Sequence, residues 1–499
     1  MFKDILFRFF LDIPFWISAF LLIPIAILFL ECSLAFLPER KVDKNDCQNQ
    51  RPSVAILIPA HNEQQVICQT LRALTPQLTA QDRLIVIADN CTDKTADLAR
   101  KFEATVIERN DRSKIGKGYA LDYGLRSIQS SPPEVVILID ADCIVQPDSI
   151  DRLAREAIAT KQPVQAVYLM EKTGASNPKN LISALAFKIK NLVRPSGLSK
   201  LDLPCLLTGT GMAFPWSVIS NAPLATNNIV EDMQLGIDLA IAGSPPRFCS
   251  QARVTGVLPQ AETAAQSQKM RWIHGHLQTL VTQVPRLIKA AFIQRRFDLL
   301  AVALDLCIPP VSLLAMAWLL TSGLGLLVAI VRGDWNGVIL LAIEGLLMFA
   351  SILGAWVKFA QSDISLKTLL SIPLYILWKI PIFFTFLFRP QQTWVRTARD
   401  IDPVLTSMYS LSSQVQAIEE HILSETTEGS ILFQIQSGSY FGLNEIATQI
   451  WKLIQETQTI GDIREAIVTE YAVNPEVCLE DIVTILEQLA SKELIEVRN

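Results

Sequence analysis

Asp140 and Asp142 close the apolar run Val135-Val136-Ile137-Leu138-Ile139, with a single residue between them. A short, unbroken apolar run reads as a strand buried on both faces, as in a parallel sheet covered by helices. Ligands of such sheets sit beyond the carboxyl ends of the strands. Two carboxylates placed there can offer oxygen atoms to a hard divalent cation. Any strand can end in Asp-x-Asp, so the pair gains meaning only from its surroundings. Two further strand ends also carry acids. Ser53–Ala60 runs into His61-Asn62-Glu63, and Arg83–Asp89 runs into Asn90-Cys91-Thr92-Asp93. Thr92 and Asp93 also suit a helix start. Asp89 closes an apolar strand and has no such plain explanation.

These positions require a scaffold that delivers strand ends to one rim. Between residues 52 and 280 strand-like and helical patterns alternate. A helix is expected over Glu63–Ala73, another from Thr92, a strand over Ala104–Ile107 and a helix over Gly118–Arg126. Repeated β-α units predict a doubly wound, mostly parallel sheet. Later in this region Glu231-Asp232 opens a helical pattern that runs to Ile241, where the helix dipole alone would favour an acid. Thr208-Gly209-Thr210-Gly211 reads as a tight loop.

Taken in order, Pro59-Ala60-His61-Asn62-Glu63, Asp89, Gly116-Lys117-Gly118-Tyr119-Ala120-Leu121, Asp140-Ala141-Asp142, Glu231-Asp232 and Gln268-Lys269-Met270-Arg271-Trp272 resemble the motifs of family 2 glycosyltransferases. These are inverting nucleotide-sugar enzymes with a GT-A fold. The likeness covers residues 52–280 and extends to the membrane segments of the polysaccharide-synthase branch. His61 departs from the Tyr often found there. The resemblance implies that Asp140 and Asp142 hold Mg²⁺ or Mn²⁺ on a diphosphate. It implies nucleotide-sugar binding by Ala60, Asn62, Glu63, Asp89, Lys117, Asp140 and Glu231, with Asp232 as catalytic base. Gln268, Arg271 and Trp272 would line the acceptor end. Trp272 offers a flat face to a sugar ring, and Arg271 can pair with phosphate. The plainer alternative is a basic, aromatic helix at a membrane surface, since Arg286, Lys289, Arg295 and Arg296 follow. His274 and His276 are read as non-ligands, because hard cations prefer oxygen.

The chain of 499 residues has a net charge of −5, which argues against broad nucleic-acid binding. Its nine cysteines include no C-x-x-C pair, so reduced thiols in cores are expected. Ile13–Leu30 is uncharged and long enough to cross a bilayer. A retained anchor fits its length better than a cleaved signal. Arg40, Lys41 and Arg51 follow it, which places the next domain in the cytoplasm by the positive-inside rule. Leu306–Val331 and Gly337–Val357 are two further spans, the second carrying Glu344. A carboxyl at that depth must be paired, protonated or turned toward protein. Thr368–Phe388, interrupted by Pro373, Lys379 and Pro381, is expected to be interfacial or re-entrant. Thr393-Trp394-Val395-Arg396-Thr397 resembles the Trp-x-x-Thr motif that follows the membrane part of some synthases.

The region 414–499 is acidic and reads as strands Ile422–Glu425, Ser430–Ile435 and Tyr440–Leu443, three helices and a closing strand, Glu493–Val497. Asn444 is a helix cap, and Thr459 with Asp462 forms a capping box. Asn474-Pro475 opens the third helix. The order resembles the PqqD-like domain, a winged-helix-like α+β module that binds peptides by adding a strand to its sheet.

The expected protein therefore comprises an anchor at 1–40, a GT-A domain at 52–280, interfacial and transmembrane helices at 281–400 and a PqqD-like domain at 414–499. It would sit in a bacterial plasma membrane with its catalytic domain in the cytoplasm. It would transfer a sugar from a UDP-hexose or UDP-N-acetylhexosamine to a growing glycan, with inversion. A lipid acceptor, and a peptide acceptor held through the C-terminal domain, are the alternatives.

Overall fold

The computed structural model describes residues 2–38, 51–171, 178–225, 230–257, 262–372, 375, 411–418, 421–426, 429–434, 439–471 and parts of 478–498. Chain contacts divide it after Ala398 into two units.

The first unit begins with α1 (Phe2–Leu34). There follow β1 (Val54–Ala60), α2 (Ile67–Leu74), β2 (Arg83–Asp89), α3 (Thr95–Arg100), β3 (Thr105–Arg109), α4 (Lys117–Ser127), β4 (Val135–Leu138) and β5 (Cys143–Val145). Next come α5 (Ser149–Thr160), β6 (Val164–Glu171), α6 (Pro178–Lys188), a π-turn over Ile189–Val193, α7 (Arg194–Lys200), β7 (Met212–Pro215), α8 (Trp216–Ile219), α9 (Glu231–Ile241) and β8 (Arg247–Val257). Among the described residues there follow α10 (Glu262–Gln294), α11 (Phe297–Leu306), α12 (Val311–Arg332), α13 (Asn336–Phe359) and α14 (Leu366–Leu370).

The eight strands form one sheet in the order β3-β2-β1-β4-β7-β6-β8-β5. β1 pairs in parallel with β2 and β4, and β2 with β3. β7 runs antiparallel between β4 and β6. The sheet is thus the expected α/β one, parallel on one side and mixed on the other. The reason is in the burial. Ile56, Leu57, Ile58, Val86, Ile87 and Ile137 are wholly buried, because helices cover both faces. One face packs on α2, α3 and α5 through Ile67, Leu71, Ile150 and Leu153. The other packs on α4 and α9 through Leu121, Leu125 and Leu235.

Some boundaries differ from the sequence reading. Residues 64–66 form a turn, and α2 starts only at Ile67, after the Glu63 carbonyl has accepted from the Val66 and Ile67 N–H groups. α3 starts at Thr95, because Asp93 accepts from the Thr95 N–H and hydroxyl and fixes the preceding turn. Leu306 ends α11, and the next span begins at Val311 after Pro309-Pro310.

Among the described residues, three helices are long and apolar enough to cross a membrane: Asp12–Leu34, Val311–Arg332 and Asn336–Phe359. Glu344 is buried between them and accepts from the Ser18 hydroxyl at 2.6 Å. Arg332 pairs with Asp12 at one end of the group. At the other, Lys358 donates to the Ala35 carbonyl at 2.8 Å. Most of Thr368–Phe388 and all of Thr393–Thr397 lie outside the described residues.

In the second unit β9 (Gln414–Ala417) pairs with β13 (Gln458–Thr459) and β14 (Ile495–Arg498). β10 (His421–Thr426), β11 (Gly429–Gln434) and β12 (Ser439–Leu443) form a separate antiparallel sheet with β10 and β12 on its outer edges. β9 was not foreseen. It is a short, half-polar segment whose cue is its pairing with the distant β13 and β14. Asn444 caps α15 (Glu445–Leu453) through the Ala447 N–H at 2.8 Å. Thr459 and Asp462 exchange hydrogen bonds before α16 (Ile460–Tyr471), as a capping box requires. The start of the third helix at Asn474-Pro475 lies outside the described residues, but Cys478, Ile482, Val483, Leu486 and Leu489 are buried in this unit's core.

Candidate active site

Asp140 and Asp142 leave the end of β4 at the middle of the sheet, where β7 turns the strand direction round. Ligand oxygens of the two aspartates and the Cys143 sulfur lie within 4.8 Å of one another. Burial drives the Cys143 thiol well above its usual range, so it stays protonated and is a poor ligand. That leaves two carboxylates, a hard donor set that fits Mg²⁺ or Mn²⁺. Asp140 already attracts a cation, since the Lys117 ammonium is paired with it.

Lys117 is the hub. From the first turn of α4 its ammonium also donates to the Gly209 carbonyl at 2.6 Å and lies 3.9 Å from Glu231 Oε1. Burial opposes its charge, but Asp140 and Glu231 outweigh this and raise its pKa. Burial likewise raises Asp140, and pushes Glu231 up to about 7.

Asp232 follows Glu231 in the first turn of α9. Gly209 has φ +96°, and a Cβ there would stand 3.2 Å from Asp232 Oδ2 and 3.8 Å from Lys117 Nζ. Glycine at this position therefore both permits the turn and leaves room for the carboxylate. A small cavity lined by Gly118, Leu138, Met212, Glu231 and Asp232 adjoins it. The loop is held by Gln165, whose amide donates to the Thr210 carbonyl and accepts from the Thr208 N–H, both at 2.9 Å. Thr210 in turn accepts from the Asp140 N–H at 3.0 Å. Sequence reading missed Gln165; a polar residue inside an apolar strand was the available signal.

The ends of β1 and β2 are knitted together. The Cys91 thiol donates to the Ala60 carbonyl at 3.3 Å, and the Thr92 N–H donates to Asn62 Oδ1 at 2.7 Å. The Glu63 N–H donates to Thr95 Oγ1 at 2.8 Å. Asn62 and Asn90 both adopt positive φ, 53° and 51°. Asp89 is buried and accepts from Arg109 at 2.6 Å. Burial raises its pKa against the pull of Arg109. Arg109 was not singled out in sequence, because it comes from the end of a neighbouring strand. Its guanidinium lies 5.9 Å from the Tyr119 ring centre.

Arg271 and Trp272 are half-buried on α10. The Trp272 ring rests on Phe187 at 5.5 Å, and Phe187 meets Tyr168 edge-on at 5.3 Å. The side chain of Gln268 lies outside the described residues. His276 donates to the Ile308 carbonyl across 3.1 Å. The ends of the parallel strands β1, β2 and β4 thus lie along one edge of the sheet, and Lys117 ties Asp140 to the Gly209 loop and the start of α9.

The sheet, the acid pair at its turning point and the basic hub define an α/β domain suited to a metal-bound phosphate ligand. Residues 52–275 match the family model described as Glycosyltransferase like family 2, and residues 429–495 match that of Coenzyme PQQ synthesis protein D (PqqD). The chain carries a glycosyltransferase family 2 domain followed by a PqqD domain. It is 27% identical over 282 residues to the Probable glycosyltransferase YdaM of Bacillus subtilis, covering 52% of this chain and 64% of that one. It is 26% identical over 202 residues to the 4,4'-diaponeurosporenoate glycosyltransferase of Staphylococcus haemolyticus, covering 37% and 50%. The chain thus spans less than two thirds of the length of either relative. Among solved structures, the mannosyltransferase PcManGT of Pyrobaculum calidifontis, in complex with GDP-Man and Mn²⁺, has a TM-score of 0.46 at 18% identity, covering 71% of this chain and 99% of that one.

Proposed function

We propose that this protein is a membrane-anchored inverting glycosyltransferase that moves a sugar from a nucleotide diphosphate donor, a UDP-hexose or UDP-N-acetylhexosamine, to a growing glycan. Its catalytic domain works at the cytoplasmic face of a bacterial plasma membrane, held there by the three apolar helices. The observation that carries the reading is the convergence on Lys117 of Asp140, Glu231 and the Gly209 loop, with Asp232 beside that loop.

In this reading Asp89 accepts an N–H of the base. Held by Arg109, its carboxylate acts only as an acceptor, which suits the imino N–H of uracil and not the bare ring nitrogen of cytosine or adenine. Asn62, Glu63 and the backbone at Ala60 shape the ribose side. Asp140 and Asp142 would hold Mg²⁺ or Mn²⁺, which would supply positive charge to the leaving diphosphate. Lys117 adds a fixed cation at the same place. Asp232 takes the proton of the acceptor hydroxyl as that oxygen attacks the anomeric carbon, opposite the diphosphate. The bond from carbon to diphosphate oxygen breaks, and the nucleoside diphosphate departs. Gln268, Arg271 and Trp272 border the acceptor side.

A lipid acceptor is the second reading, favoured by the relative whose name gives 4,4'-diaponeurosporenoate as the molecule glycosylated. A peptide partner is the third. The second unit's antiparallel sheet ends in the outer strands β10 and β12, and an outer strand can pair with an added chain. Purified full-length protein in nanodiscs, screened with labelled nucleotide sugars and Mg²⁺ or Mn²⁺, tests the proposal. Sizing the product separates a polymer from a single-sugar lipid, and no transfer from any donor would overturn all three readings.

A further inference from the structure

We propose that Phe187 is a positioning residue for the acceptor: it fixes the plane of the Trp272 ring, so that the exposed part of that ring takes the flat side of a pyranose. This rests on the transferase reading above, in which Trp272 borders the acceptor.

Phe187 is the last residue but one of α6 (Pro178–Lys188) and belongs to none of the sequence motifs. Its ring lies 5.5 Å from that of Trp272 at a tilt of 37°, and 5.3 Å from that of Tyr168 at 80°. Three rings from β6, α6 and α10 thus form one continuous stack. Aromatic contacts prefer definite offsets and angles, so each ring limits the rotation of the next. The inner end of the stack reaches the acid pair. Tyr168 is buried in the same core cluster as Ala141 and Cys143, and Phe187 packs against that cluster. The Tyr168 hydroxyl oxygen lies 3.0 Å from where a Cβ on Gly256 would stand. Gly256 pairs with Cys143 across β5 and β8. The Cys143 thiol in turn donates to Asp142 Oδ1 across 3.6 Å. The missing side chain at Gly256 therefore lets the stack begin beside the residue that follows Asp142.

α6 is also held from the membrane helices. The ammonium of Lys188, next to Phe187, donates to the Phe359 carbonyl at the end of α13 at 2.9 Å. It donates as well to Asp363, in the turn after α13, at 2.6 Å. The Ser183 and Tyr375 hydroxyls share a hydrogen bond of 2.8 Å. With its backbone tied there and its ring against Tyr168, Phe187 has little room to swing away from Trp272. A core contact hides its rings, but Phe187 and Trp272 are both only half-buried. They leave apolar ring surface open at the far end of a stack that starts at the acid pair. A pyranose has a face of C–H groups and a polar rim, so it covers such a surface while its hydroxyls find polar partners.

The test uses the full-length protein in phosphatidylcholine nanodiscs saturated with UDP and Mn²⁺, so that the donor site is filled. Binding of cellobiose, maltose and lactose is measured by saturation-transfer NMR for wild type, Phe187→Leu, Phe187→Tyr, Trp272→Leu and the double variant Phe187→Leu/Trp272→Leu. Wild type is expected to bind at least one of the three. Phe187→Leu keeps apolar bulk but removes the ring, and should weaken that binding about fivefold or more with UDP affinity unchanged. Phe187→Tyr keeps the ring and should bind within about twofold of wild type. The double variant should bind as Trp272→Leu does, because the effect of Phe187 runs through Trp272. Phe187→Met takes the place of Phe187→Leu if the latter fails to fold. No disaccharide binding by wild type, wild-type binding by Phe187→Leu, weakening by Phe187→Tyr as large as by Phe187→Leu, or a further loss in the double variant would each overturn the proposal. UDP binding in the same samples separates the two readings: its absence in wild type sinks the transferase reading, whereas UDP binding without disaccharide binding sinks the role of Phe187 alone.

Discussion

Arg109, at the end of β3, places an N–H 2.6 Å from Asp89 Oδ1 at the end of the adjacent β2, and both side chains are buried. Removing one partner of such a pair leaves a charge without compensation, which costs about 3–5 kcal/mol. Arg109→Met should therefore lower the melting temperature markedly and weaken UDP binding. Adding Asp89→Asn should recover much of the stability but not the nucleotide affinity. Calorimetric melting and UDP titration of the three proteins check this. Recovery of both properties in the double variant would show that Asp89 is only structural.

Gly209 is predicted to be intolerant of alanine for two reasons: its positive φ and the 3.2 Å approach of Asp232 Oδ2 to a new Cβ. Displacing a base by a fraction of an ångström to 1 Å costs on the order of 10–100-fold in rate. Gly209→Ala should lower kcat by that order while the donor KM changes less. Steady-state rates at saturating donor measure it. Gly243→Ala is the control, because its φ is also positive, +103°, but nothing lies within 4 Å of its Cβ.

Much of this was legible beforehand. Lengths of uninterrupted apolar sequence revealed the sheet strands, because helices cover both of its faces. The acids at the strand ends stood out because apolar strands rarely close on several carboxylates. What remained hidden were the residues that act through space. Arg109 and Gln165 derive their meaning from partners 20 and 45 positions away, Asp89 and Thr210. The antiparallel insertion of β7 was equally hidden, since strand direction leaves no mark on a four-residue apolar run.

Acid sensitivity should come in part from His276. Burial holds its pKa down to about 3, from an ordinary value of 6.5. The folded state therefore keeps the ring neutral while the unfolded chain takes up a proton. Stability is fully present above pH 6.5 and falls as pH drops toward 3, by up to about 1.4 kcal/mol per pH unit. His276→Gln should flatten that fall. Melting curves between pH 7 and pH 4 would show it; parallel curves for the two proteins would contradict it.

Cation removal should separate binding from folding. Asp140 and Asp142 form no part of the apolar core, and Lys117 already partly compensates Asp140. Chelation is expected to abolish turnover and weaken UDP binding tenfold or more, without changing the melting temperature of the nucleotide-free protein. Mn²⁺ or Mg²⁺ should restore both properties. Full turnover in chelator would remove the metal from the account.

The most direct measurement compares Asp142→Asn and Asp232→Asn with wild type in a single assay of Mn²⁺-dependent UDP binding and sugar transfer. Loss of both properties is expected for Asp142→Asn. For Asp232→Asn, UDP binding should remain while transfer falls about 10²–10⁴-fold, the usual contribution of a general base. Transfer at the wild-type rate by Asp232→Asn, or metal-dependent binding untouched in Asp142→Asn, would contradict the shared catalytic centre.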